Sequence, residues 1–158
     1  MVVVGPPQWW VKLADFGLSK RLTDSTAYHT SAGTLPYMAP EILNYLDLDT
    51  SGKYTNAVDL WAVGCIVYRL VTGTGPFPQG KSLIQYCGDE SLFPNDLLIK
   101  SGVTNSISNF LRQLLAIDPK KRLSAAKALQ HHWITSGEFI LLPTLIVDAS
   151  MLKIWQRC

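Results

Sequence analysis

Apolar residues recur along the chain with more than one rhythm, and the rhythm changes mark its elements. Val2-Val3-Val4 is a short continuous apolar run that Gly5-Pro6-Pro7 breaks. Trp9 to Leu13 is aromatic and β-branched, so the pattern predicts two short strands forming a hairpin. Residues 18–38 are rich in Ser, Thr and Gly without periodicity and read as a long loop. Loops of that length inside a domain are usually functional or disordered. Pro40 suits the first position of a helix, where its missing N–H would be unpaired anyway, and Glu41 in a first turn suits the helix dipole, so a helix is expected to open there. Residues 44–56 return to a polar loop.

Ala57 to Val71 is apolar on nearly every face: Val58, Leu60, Trp61, Val63, Cys65, Ile66, Val67, Leu70 and Val71. Such a helix belongs in a membrane or at the centre of a core. This one carries Asp59 and Arg69 and is too short to span, so it is expected at the centre of a protein core, with Gly64 allowing a neighbour to approach closely. Gly73 to Gly80 is a Gly/Pro break. Ile107, Phe110, Leu111, Leu114 and Leu115 follow the i, i+3, i+4, i+7, i+8 spacing of an amphipathic helix over 105–117, capped by Thr104, Asn105 or Ser106 and ended by Asp118-Pro119. Ser124 is expected to start a further helix running to about Trp133. Residues 139–147 form an apolar tail interrupted by Pro143, and its form is left open.

Composition narrows the function classes. The 158 residues are 47% hydrophobic and 16% charged, which excludes intrinsic disorder. Fourteen basic against twelve acidic side chains give +2, with no basic stripe, so no nucleic-acid partner is expected. No apolar run reaches the ~18 residues of a membrane span, and the N-terminus has no basic segment of the signal-peptide kind. The cysteines Cys65, Cys87 and Cys158 are odd in number and lack metal-ligand spacing. Together these point to an intracellular protein, cytoplasmic or nuclear.

The chemistry-bearing strings are Val11-Lys12-Leu13-Ala14-Asp15-Phe16-Gly17-Leu18-Ser19, Gly33-Thr34-Leu35-Pro36-Tyr37-Met38-Ala39-Pro40-Glu41, Asp59-Leu60-Trp61-Ala62-Val63-Gly64-Cys65, Asp118-Pro119-Lys120-Lys121-Arg122 and His131-His132-Trp133. Asp-Phe-Gly by itself is also an ordinary polar turn after a strand. The set, in this order, resembles the eukaryotic-type Ser/Thr protein kinase family over roughly residues 2–134. The resemblance implies a mainly α, kinase-like C-lobe with a short N-terminal β-hairpin. That lobe is incomplete, without an N-lobe. Residues 1–135 would be a partial kinase domain starting just after the catalytic loop, through truncation or a misplaced start, and 136–158 a C-terminal tail.

By the same resemblance Asp15 is the carboxylate that holds Mg²⁺ against ATP phosphates. A hard dication requires such oxygen ligands. Phe16 and Gly17 complete that metal-binding turn. The activation segment runs from there to Ala39-Pro40-Glu41, with Thr30 (or Ser31) where an activating phosphate is carried and Thr34 supporting the substrate-binding end. Unmodified hydroxyls in a solvated loop are the alternative for Thr30 and Ser31. Glu41 and Arg122 match an ion pair tying the segment to the lobe. Asp59 matches a buried carboxylate that accepts backbone N–H bonds from the catalytic loop, and Trp61 and Gly64 lie on the central helix. His131-His132 is not read as a metal site, because adjacent residues point to different helix faces.

Equally informative is what these residues lack. Residues 1–14 contain no Asp, Glu, Arg or Asn. The family's Gly-rich loop, strand lysine and His-Arg-Asp catalytic loop are therefore not found, and no base Asp can be named. Phosphoryl transfer is mostly positioning and charge neutralisation by those parts together. The expectation is a fragment of a Ser/Thr protein kinase that does not transfer phosphate alone, with Mg²⁺ and ATP implied by resemblance and a protein as substrate or partner. A non-catalytic, kinase-like interaction module is the alternative. An exposed apolar face on the central helix and low stability are expected consequences.

Overall fold

The computed structural model describes residues 2–4, 10–12, 35–43, 45, 55–137, 140–141 and 146–147. Strand β1 (Val2–Val4) pairs antiparallel with β2 (Trp10–Val11), Val2 opposite Val11 and Val4 opposite Trp10, with a register irregularity between. The residues joining them lie outside the described set. A 3-10 turn at Leu35–Tyr37 follows, inside the stretch read as loop. Then come α1 (Ala57–Thr72), α2 (Gly80–Gly88), α3 (Asn95–Lys100), α4 (Asn105–Leu114), α5 (Ala125–Leu129) and α6 (His132–Thr135). A second antiparallel pair, β3 (Ile140–Leu141) with β4 (Ile146–Val147), occupies the apolar tail whose form the sequence left open.

Helix α1 is the axis of the core. Leu60, Trp61, Cys65, Tyr68 and Val71 line its buried side. Gly73, at φ 81°, ends it by donating its N–H to Arg69 O at 2.8 Å. Glycine takes this left-handed position without a Cβ penalty. At Gly64 the helix meets the end of α4 so closely that a Cβ would stand 2.9 Å from Leu115 Cγ and Cδ2. Helix α4 turns Ile107, Phe110, Leu111 and Leu114 inward, and of the three cap candidates it is Thr104 whose Oγ1 accepts from Ile107 N. From Trp61 an aromatic series runs outward: Trp61 on Phe77 (5.8 Å), Phe77 on Tyr86 (5.1 Å), then Tyr86 edge-on to Phe93 (5.9 Å). Two buried tyrosines lock loops to it, Tyr68 Oη donating to Pro94 O at 2.7 Å and Tyr86 Oη to Leu115 O at 3.0 Å.

Three helix expectations change. Residues 40–43 form a turn, not a helix: Ile42 N and Leu43 N both reach Ala39 O. One turn is too short to propagate a helix, and the stretch is held by its side chains. Helix α4 stops at Leu114 rather than 117, and the unwound residues turn the Ala116 and Ile117 carbonyls toward Arg122. The helix expected from Ser124 to Trp133 is two. His131 takes extended backbone (φ −63°, ψ 141°) and its Nδ1 accepts from Trp133 N at 3.2 Å, starting α6 afresh. The break directs Trp133 onto Phe110, with ring centroids 4.8 Å apart. Helices α2 and α3 had no counterpart in the sequence reading.

Candidate functional site

The best-built polar constellation among the described residues is at Glu41 and Arg122, 81 positions apart in sequence. The turn after α4 sets up the arginine. Asp118 Oδ1 accepts from Lys120 N at 2.9 Å, and Asp118 O accepts from Lys121 N and Arg122 N. This short hydrogen-bonded turn leaves Lys120 and Lys121 in solvent and sends Arg122 inward. Its guanidinium then donates five bonds: Nη1 to Glu41 Oε1 (2.7 Å) and Ala57 O (2.8 Å), Nη2 to Glu41 Oε2 (3.0 Å) and Ile117 O (3.3 Å), Nε to Ala116 O (3.0 Å). That accounts for all five N–H groups an arginine has. The pair is bidentate, the strong geometry for guanidinium and carboxylate. The two side chains are 0% and 4% exposed, and the Trp61 ring lies 5.1 Å from the guanidinium carbon.

Chemically, the constellation is an anchor. It pins Ala39-Pro40-Glu41 to the first residue of α1 and to the end of α4, with Met38, Ala39 and Pro40 buried beside it. A cleft of about 410 Å³ borders it, lined by Thr55, Asn56, Leu60, Pro119 and Leu123 among others. Glu41 and Arg122 are spent on each other, so the cleft offers a phosphate no free buried donor from the pair. Ahead of the anchor, the Leu35–Tyr37 turn rests on α1, and Arg69 Nη1 donates to Tyr37 Oη at 3.1 Å.

The other expected residues divide cleanly. Trp61 is buried and Gly64 sits at the α1–α4 crossing. Asp59 is a correction: expected buried and accepting backbone N–H bonds, it is exposed in the first turn of α1, and no described residue bonds its carboxylate. The string expected to supply those donors is missing from residues 1–14, and a carboxylate without partners is stable only in water. Asp15, Phe16, Gly17, Thr30, Ser31 and Thr34 lie outside the described residues. The described residues alone hold no group of three or more His, Cys, Asp or Glu able to bind a metal. No helix among them is long and apolar enough to cross a membrane.

Burial pushes the Cys65 thiol up to about 12, with the Arg122 charge acting weakly against it, so Cys65 is an inert core residue. His131 is held below its ordinary pKa by burial and by neighbouring His132. Its Nε2 lies 2.9 Å from Asn109 Oδ1 and its ring rests on Phe110. Sequence reasoning missed the carbonyls of Ala57, Ala116 and Ile117 and the Tyr37–Arg69 contact. For the carbonyls, a faint signal existed in Asp118-Pro119, which ends a helix just before a buried arginine and leaves its last carbonyls open.

The sequence model of the protein kinase domain matches residues 3–134. A probable myosin light chain kinase of Dictyostelium discoideum is 38% identical over 135 residues, covering 82% of this chain and 41% of its own length. The serine/threonine-protein kinase cds1 of Schizosaccharomyces pombe is 32% identical over 126 residues, covering 78% of this chain and 27% of its own. The chain thus spans less than half the length of these relatives. Among solved structures, a crystal structure of the Rad53 kinase domain and SCD2 superposes with a TM-score of 0.62 at 28% identity, covering 95% of this chain and 51% of that one. With the segment end fastened to a helical core and the family model running through both, the chain belongs to the eukaryotic-type Ser/Thr protein kinases.

Proposed function

We propose that these 158 residues are the substrate-side helical part of a Ser/Thr protein kinase, residues 1–135 belonging to the kinase domain and 136–158 forming a tail. In this reading Asp15 is the Mg²⁺ ligand, with Phe16 and Gly17 completing its turn. Thr30 is the position of an activating phosphate, and Thr34 supports the bound protein substrate. ATP-dependent transfer to protein Ser or Thr belongs to the complete machinery. These residues by themselves bind the substrate side and transfer nothing, because the strand lysine and the His-Arg-Asp loop are not among them.

The observation that carries this reading is the buried, fully bonded Glu41–Arg122 pair. It supports a segment end held in one position, which is what presenting a peptide to a reaction centre requires. The test is the purified chain with Mg·ATP and a Ser/Thr peptide mixture. The expected result is no phosphate incorporation and no micromolar nucleotide binding. Incorporation above a no-protein control overturns the reading.

A second reading, a non-catalytic interaction module, is favoured by one observation: Ile66 and Leu70 on α1 are 49% and 51% exposed. In-frame codons upstream of Met1 for the strand lysine, His-Arg-Asp and Asn decide for the first reading, and their lack decides for the second.

A further inference from the structure

The Leu35–Tyr37 turn is the described part of the segment assigned above to the protein substrate, and its charge environment is one-sided. Residues 25–40 carry no Asp, Glu, Lys or Arg. The next acidic side chain, Glu41, is 5% exposed and consumed by Arg122. A basic peptide laid along residues 25–40 finds no carboxylate among them. The one ionic side chain bonded to the turn among the described residues is Arg69, on the last turn of α1. It is exposed and makes no ion pair among the described residues. Asp96 of α3 acts on the Tyr68 hydroxyl and is not paired with Arg69.

Arg69 has a structural use, since a cation in the last turn of a helix suits the dipole. That use leaves most of its five N–H groups facing water. The bond from Nη1 to Tyr37 Oη steers the guanidinium beside the turn rather than out from the helix. Leu35, 69% exposed, and Pro36 supply an apolar surface next to it. A planar cation next to an apolar step suits a carboxylate-bearing extended peptide, which it can grip through two parallel N–H bonds.

We propose that Arg69, positioned by Tyr37, makes this surface select protein substrates carrying Asp or Glu near the accepting Ser or Thr. The inference rests on the substrate-side reading above and adds the substrate class. Recognition is electrostatic at an exposed position, so it weakens with salt.

The test uses the whole chain and three synthetic peptides built on one Ala/Gly backbone with a central Ser, flanked by Asp, by Ala or by Arg. Affinity is followed by fluorescence anisotropy, and the contact surface by amide exchange at residues 35–43. The expected order is Asp over Ala over Arg, with about a fivefold step for the acidic peptide at low salt. Arg69→Glu reverses the order, Arg69→Gln abolishes the step, and Arg69→Lys retains part of it. Tyr37→Phe narrows it by releasing the guanidinium. Because Arg69 is exposed, circular dichroism of the Gln and Lys variants separates loss of preference from loss of fold. A dipole role alone changes the melting temperature and leaves the peptide order untouched. If the Ala peptide protects residues 35–43 as well as the Asp peptide does, or Arg69→Gln keeps the step, this inference falls and the substrate-side reading stands. If no peptide protects those residues, both fall.

Discussion

Glu41→Ala is the sharpest perturbation the structure offers. In the folded protein the carboxylate takes two of the five guanidinium N–H groups, at 2.7 and 3.0 Å, and the other three go to the backbone carbonyls of Ala57, Ala116 and Ile117. Truncating Glu41 leaves a cation with no exposed surface, uncompensated, with two donors unpaired. Breaking one side of a buried pair costs about 3–5 kcal/mol. A domain's whole margin is about 5–15 kcal/mol, so the variant is expected to lose a large share of its stability. Arg122→Met should be as costly for a second reason, because three carbonyls lose their donors along with the carboxylate.

Urea unfolding of the two single variants and the double variant, followed by circular dichroism, gives the coupling energy directly. The double should sit well short of the sum of the singles, by about 2–3 kcal/mol. Because the pair is out of solvent, the penalty should hold between about 0.1 and 1 M salt, where an exposed pair would be screened. The reasoning is refuted if Glu41→Ala costs under about 1 kcal/mol, the range of exposed ion pairs, or if added salt erases the difference.

Two further outcomes follow from packing and titration. Gly64→Ala places a Cβ 2.9 Å from Leu115 Cγ and Cδ2 and 3.1 Å from Leu114 Cβ; it should cost about 1–3 kcal/mol of unfolding free energy, and Leu115→Ala in the same chain should recover part of that, which a double-variant melt checks. Burial, with His132 beside it, holds the folded pKa of His131 below its unfolded value, and its Nδ1 accepts from Trp133 N. Its contribution is therefore fully present above the ordinary histidine range and is lost as pH falls below about 6.5 toward the folded pKa. His131→Asn keeps a capping side chain and should flatten the slope of stability between about pH 7.5 and 5.5, while unchanged slope in that variant assigns the titration elsewhere.

How much of this was legible depended on whether a feature is local. Helix α1 was readable to within a residue because Leu60, Trp61, Cys65 and Val71 make an unbroken apolar stretch and Gly73 ends it. Helix α4 was readable in its face and cap but not its end, since unwinding after Leu114 serves Arg122, a partner the periodicity of residues 105–117 cannot register. Helices α2 and α3 escaped notice because they are short, α2 beginning and ending on glycine and α3 preceded by Pro94, although Leu83, Tyr86 and Cys87 carry the i, i+3, i+4 spacing. The break at His131 was hidden because histidine is a rare cap; its ring does here what serine usually does. The Glu41–Arg122 pair came only through family resemblance, as nothing in the sequence between them ties together two residues 81 positions apart. Asp59 shows the reverse hazard, for its expected burial depended on backbone donors from a string that residues 1–14 do not contain.

The two sides of α1 explain how residues 35–43 are held in place. Asp59, Val63, Ile66 and Leu70 recur at i, i+4, i+7 and i+11 and therefore share one face. Ile66 and Leu70 are half exposed there. Fully burying a large aliphatic side chain is worth about 1.5–3 kcal/mol, so leaving these two half open forfeits roughly that amount in total. This is comparable to the cost of one poor core substitution and smaller than the loss expected at Glu41. The anchor does not draw on that face. Its backbone acceptors are Ala57 at the start of the helix and Ala116 and Ile117 beyond α4, and its flanking aromatic, Trp61, points into the core. Arg69 likewise lies to the side of the open stripe, bonded to Tyr37. The position of residues 35–43 is thus set by the covered half of α1. Burial of the open stripe against another surface would raise overall stability while leaving the geometry at Tyr37, Glu41 and Arg69 as it is.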